Sequence, residues 1–140
     1  MKNLMKITAI LLIVAGSFVS CEKKEVTETV ENKFLTELNS ATLAIVPKES
    51  LPEWLVARIN DYYETRPSSL CKVLIYRGEW NKQTVYFILD TYSACLCDFF
   101  TNAGERIVEN LSDCRATSKN WVLIYEYGDF VLDLDELFSN

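Results

Sequence analysis

Five short runs between Cys71 and Tyr127 constrain this chain more than anything else in it: Cys71 to Arg77, Thr84 to Asp90, Ala94 to Phe100, Arg106 to Glu109 and Trp121 to Tyr127. They are rich in Val, Ile, Tyr and Phe, whose branched and aromatic side chains suit a pleated, half-buried surface. Polar segments such as Gly78 to Lys82 and Asn102-Ala103-Gly104-Glu105 separate them. Connections of about five residues close antiparallel pairs and are too short for the helical crossover that a parallel pair needs.

Ahead of the strands, Ser50 and Glu53 have the spacing of a capping box, Pro52 falls in a first helical turn, and Leu51, Leu55, Ile59 and Tyr62 or Tyr63 mark one face. Arg66-Pro67-Ser68-Ser69 stops that helix. A weaker periodicity in Phe34, Leu35, Leu38, Thr42 and Ile45 suggests a short helix over residues 33 to 45, ended by Val46-Pro47. The expected fold is α+β, with the helix from Ser50 packed on one face of a four- to five-stranded antiparallel sheet. Phe130 to Phe138 fits either an edge strand or a short helix. The string Val73-Leu74-Ile75-Tyr76 returns as Val122-Leu123-Ile124-Tyr125, but the flanks agree poorly and buried strands share these residue types, so no duplication is read.

Residues 1 to 20 have the anatomy of a signal peptide, with Lys2 and Lys6 at the start, an apolar run from Ile7 to Ala15, and Gly16, Ser17 and Ser20 at the end. The run falls short of the roughly 20 apolar residues that a membrane span requires. Phe18-Val19-Ser20-Cys21 resembles the lipobox of bacterial lipoproteins, with Phe in place of the preferred Leu. That resemblance implies that Cys21 is acylated and becomes the mature amino terminus, anchoring the chain without a further helix. Residues 21 to 49 then read as a lipidated tether with a possible short helix, and residues 50 to 140 as a single domain. Glu22-Lys23-Lys24-Glu25 is similar to the charged signal that exports lipoproteins of Bacteroides-type bacteria to the cell surface. The expected address is the outer membrane, facing either the surface or the periplasm.

The chain of 140 residues is 49% hydrophobic and 24% charged, which suits one ordinary domain. Without Lys2 and Lys6 it carries twelve basic and twenty acidic residues, a net charge of −8. That balance speaks against nucleic acid, whose affinity rests on Lys and Arg neutralising phosphates. Histidine is absent. Triads built on imidazole, His-ligated zinc and the usual proton shuttle near neutral pH are thereby excluded.

With Cys21 acylated, Cys71, Cys95, Cys97 and Cys114 remain, an even number that in an exported protein reads as disulfides. Cys95 and Cys97 point the same way along one strand, so the expected bridges join Cys71 and Cys114 to one each of them. Each loop closure would contribute roughly 3 kcal/mol in the chain-entropy model. The paired knuckles of a structural zinc site are missing, and no Cys-x-x-Cys opens a helix as in a redox motif.

Pro52-Glu53-Trp54-Leu55, Gln83-Thr84-Val85-Tyr86-Phe87-Ile88 and Cys95-Leu96-Cys97-Asp98-Phe99-Phe100-Thr101-Asn102-Ala103-Gly104-Glu105 together resemble a family of small lipoproteins from Bacteroides-type bacteria, the domain of unknown function numbered 6970. The resemblance covers about Leu51 to Tyr127. This chain departs from that pattern: spaced Cys95 and Cys97 replace adjacent cysteines, and a cysteine near Val108 and the Gly-rich loop after it are missing. No disulfide pairing carries over, and the family implies no activity.

Asp133, Asp135 and Glu136 lack the Gly and distal Glu of a calcium loop. Glu53, Asp61, Glu64, Asp98 and Glu105 form no pair that sequence places at glycosidase distances. Trp80, at an expected hairpin tip, is a candidate partner anchor, or else folds back onto the core. No metal or cofactor is expected. The favoured function is a non-catalytic binding or inhibitory module on the envelope, with membrane contact through the lipid on Cys21 and an envelope protein or extracellular ligand as partner. An accessory subunit of an envelope complex and a carboxylate- or thiol-based enzyme are the alternatives.

Overall fold

The computed structural model describes residues 33–92, 96–129 and 133–135 of the chain. Strands β1 (Val73–Trp80), β2 (Gln83–Asp90), β3 (Leu96–Thr101) and β4 (Lys119–Tyr127) form one sheet in the order β3-β2-β1-β4. All three pairings are antiparallel. At the β1–β2 turn Asn81 and Lys82 take φ of 51° and 62°. Two successive left-handed residues make the tight turn whose twist matches the strands it joins. The register from Trp80↔Gln83 to Val73↔Asp90 is consequently unbroken. The run from Arg106 to Glu109, expected as a fifth strand, makes only an isolated bridge between Arg106 and Phe100, with the Ile107 N–H donating to Phe99 O at 2.8 Å. Its one inward side chain, Ile107, is buried, and Val108 is exposed.

Residues 33–40 are helical (α1), as are Glu53–Thr65 (α2) and Leu111–Thr117 (α3). Leu55, Ile59 and Tyr62 of α2 pack on Val73, Ile75, Tyr86, Ile88, Phe100 and Ile124. The opposite face of the sheet is also covered. There Phe34 and Leu38 of α1, Cys114 of α3 and Leu134 pack on Leu74, Tyr76, Val85, Phe87, Leu89, Phe99, Trp121 and Leu123. The expectation of one helix on one face thus misses a layer. The compact unit begins at Phe34, ahead of the expected boundary at Ser50, because Phe34 is already a core residue. The expected leader and the tether up to residue 32 lie outside the described residues, as does most of Phe130 to Phe138.

The capping box does not form. Ser50 Oγ donates to Pro47 O at 2.7 Å inside the short 3-10 turn Lys48–Ser50, and α2 starts from Pro52, whose carbonyl accepts from the Leu55 and Val56 N–H groups. Proline here supplies a fixed φ without a donor that would need a partner. Past α1 the chain straightens, and the Ala44 N–H donates to Leu123 O at 2.8 Å, a short contact on the outer edge of β4.

Two irregularities in β4 decide what it presents. Ile75 pairs with Tyr125 but Tyr76 with Leu123, so Ile124 is an extra residue. A bulge of this kind reverses the alternation of side chains. Trp121 and Leu123 face α1 and α3, whereas Tyr125 and Tyr127 face α2. A second shift lies opposite Gly78, where Asn120 takes φ of 59°. The Trp121 indole lies across Gly78, and a Cβ there would sit 2.6 Å from the ring. Phe34, Phe87 and Phe99 hold that ring from other sides, with centroids 5.9 to 6.4 Å away. Gly78→Ala should therefore destabilise the fold by about 1–3 kcal/mol, read as a lowered urea midpoint at constant slope. A midpoint unchanged from the parent would show that the indole has room to move.

Candidate functional site

The cysteines do not form the expected framework. Among the described residues there is no disulfide: Cys71 and Cys114 are free thiols, and Cys97 is bridged to neither. The sheet itself explains part of this. Cys71 precedes β1 in the alternation of Val73 and Ile75 and belongs to the α2 side, where its Sγ donates to Pro67 O at 3.2 Å. Cys97 and Cys114 belong to the opposite side, so the sheet lies between them and Cys71. Cys114 reaches the core on α3, a helix the sequence pattern does not announce, and serves there as a small apolar side chain. Burial pushes the Cys71 thiol up, assisted by the Asp90 charge. Burial, with a smaller contribution from Asp113, pushes Cys114 up to about 11. Neither is an activated nucleophile, which would need a lowered value. Cys21 and Cys95 lie outside the described residues.

Trp80, the candidate at the hairpin, is half-buried. Its ring packs against the α1 and α3 side of the core, and its indole N–H donates to Asp113 Oδ2 at 3.1 Å. The tip of the hairpin is Asn81-Lys82. Trp54 is held in the same manner: its indole N–H donates to Asn102 O at 3.0 Å, and its ring lies 5.7 Å from Tyr86 and 5.6 Å from Phe100. Gly104, at φ of 88°, lets the β3 loop close on that indole, since a Cβ would come within 2.8 Å of it.

The carboxylates named from sequence are dispersed. Glu53 lines a shallow groove with Lys48, Glu49 and Asn60, and Glu105 lines another with Gln83, Thr101 and Asn102. Asp98 is engaged by Arg106 at 2.7 Å, and Asp61 and Glu64 lie exposed on α2. Asp133 and Asp135 are tied into a local turn and to Asn39. The described residues contain no group of three or more His, Cys, Asp or Glu side chains able to hold a metal ion.

Sequence reasoning missed three features. Asp90 is only 2% exposed, accepts from the Tyr92 N–H at 2.9 Å and faces the Arg66 guanidinium at 3.6 Å. It closes the apolar run of β2, which is the signal that could have marked it. Next to this pair, Tyr63 contacts Tyr125 and Tyr127 at 6.0 and 4.9 Å between ring centroids. Burial, then the neighbouring Tyr63 phenol, raises the Tyr125 hydroxyl well above its ordinary range.

The third feature is a groove of about 330 Å³ where the end of α1 meets the start of β4, lined by Glu37, Ser40, Thr42, Lys119, Asn120 and Trp121. Asn120, between Lys119 and Trp121, takes the left-handed conformation at this groove. Trp121 is 6% exposed, and its Nε1–H has no partner among the described residues. Glu37 Oε2 is likewise buried without one. A donor and a carboxylate acceptor, both unsatisfied along one groove, form the candidate site, because buried polar groups ordinarily find partners. Glu37 and Trp121 carry no mutual spacing signal. No protein-family model, curated protein or solved structure matches this chain.

The buried acids make a pH prediction. A thiol or phenol whose folded value lies above its unfolded one holds its proton more tightly in the folded state. Its contribution is therefore complete below the unfolded value and lost as pH rises through the folded value. Stability should fall from pH 9.0 through about 11 on account of Cys114 and continue falling to about 12 on account of Tyr76. Urea midpoints across that window check it: Cys114→Ala should flatten the first part of the decline, whatever its effect on stability near neutrality.

Proposed function

We propose that this chain is a lipid-anchored lipoprotein of the bacterial outer membrane whose folded domain acts as a non-catalytic binding or inhibitory module. The anchoring half of the reading rests on the sequence from Lys2 to Cys21. Because Phe34 is a core residue, the tether is residues 22–33, a dozen residues that span at most about 40 Å when fully extended. Such a tether keeps the domain within reach of neighbours in the same membrane. No helix among the described residues is long and apolar enough to cross a membrane.

The observation that carries the binding half is the distribution of reactive side chains. Glu53, Asp98 and Glu105 each have different surroundings, and the thiols of Cys71 and Cys114 are sealed in the interior. Two of the buried polar groups left without partners among the described residues, Glu37 Oε2 and Trp121 Nε1, belong to residues that line a surface groove instead. A module braced by packing on both faces of its sheet loses little freedom when it meets a partner, which favours affinity.

Cys21→Ala should abolish incorporation of labelled fatty acid and block removal of residues 1–20, with the protein leaving the membrane fraction. Label retained by the variant would reject the anchor.

A further inference from the structure

We infer that the groove between α1 and β4 binds an amino-acid-type group, an ammonium adjacent to a carbonyl or carboxylate oxygen. The inference depends on the binding-module reading of the domain and is independent of the lipid on Cys21. Three observations carry it. First, Glu37 Oε2 and Trp121 Nε1 are buried polar atoms with no partner among the described residues, and both residues line the same groove. A carboxylate accepts and an indole N–H only donates, so a complementary ligand must offer one donor and one acceptor within the reach of this one groove. A cationic donor suits Glu37 best, because ionised partners form the stronger hydrogen bonds.

Second, the charge along the groove is graded. Lys119, at the β4 end, makes only a 3.9 Å contact with Glu79 and keeps its side chain 59% exposed. Its ammonium lies on the same strand as Trp121, which favours the oxygen end of the ligand there, with the ammonium end turned toward α1. Third, the indole is held in place. Its Cε3 and Cζ3 atoms lie against Gly78, and Phe34, Phe87 and Phe99 surround the ring. Nε1 is not among the indole atoms that a Cβ at residue 78 would meet first. Since both unpaired atoms are shielded, entry requires the Glu37 side chain, half-exposed on the last turns of α1, to rotate aside and then return onto the ligand. Such a group occurs in a free amino acid and at the amino terminus of a peptide.

Nitrogen-edited NMR of the indole N–H groups tests the proposal on the folded domain. Trp54 and Trp80 already donate to Asn102 O and Asp113 Oδ2 and serve as internal controls; Trp121→Phe identifies the third signal by its loss. The probes are L-alanine, alanyl-alaninamide and N-acetylalaninamide. Expected is a saturable shift of the Trp121 signal alone, with no response to the acetylated probe. Glu37→Gln should weaken the response roughly tenfold, as loss of one charge-assisted contact implies. Response to L-alanine but not to the dipeptide amide assigns a free amino acid; the reverse assigns a peptide terminus. A Trp121 signal that stays in place with every probe, that moves together with the other two, or that responds equally in Glu37→Gln overturns the proposal. Cys21 acylation is read separately, so a failure here and a failure of the anchor are distinguishable.

Discussion

The contact between the Trp121 indole and Gly78 organises one whole side of this molecule. A side chain at residue 78 would push the ring away from the sheet, and the ring could then no longer meet Phe34, Phe87 and Phe99 together. Those aromatic rings are what α1 packs on. Edge-to-face and tilted pairs of this kind add modestly to the area they bury, but they fix relative orientation. The indole therefore sets the position of α1 and, with it, the wall of the groove that holds Glu37. The same residue that completes the core also presents the unsatisfied donor. Packing and candidate recognition are thus properties of one side chain, and a change at Trp121 alters both.

Much of the sheet was legible in the sequence because β1, β2 and β4 are runs of branched and aromatic residues bounded by polar turns. The number of layers was legible too, had one detail been weighed differently. Val85 to Leu89 is continuously apolar instead of alternating, and a strand that reads so is buried on both faces. A single covering helix, as the pattern at Leu51 to Tyr63 suggests, leaves one face of that run bare. Helix α3 was not legible: Leu-Ser-Asp-Cys-Arg-Ala-Thr has one buried residue, Cys114, and so no periodicity to detect. The groove was hidden for a different reason. Glu37 and Trp121 line one groove after a strand irregularity and a glycine let the indole lie across β1, and spacing along a chain does not encode that.

The cysteines teach a related lesson. Counting them suggests covalent bracing, since an exported chain of this size often lacks a sufficient core. Here the sheet is sandwiched, and Cys71 and Cys114 are both fully buried as free thiols, Cys114 within the apolar cluster on the α1 and α3 side. Parity along β1 and β3 already separates Cys71 from Cys97 by the thickness of the sheet. What braces this domain is the doubling of its core, with α2 on one face and α1 and α3 on the other.

Because Phe34 is wedged among Phe87, Phe99 and Trp121, α1 is also a mechanical element. The first described turn of the chain is already seated in the aromatic cluster. Displacing that ring would disturb its contacts with Phe87, Phe99 and Trp121 together, and Glu37 lies about one helical turn further along α1. One short helix therefore carries both a ring of the core and a wall of the groove.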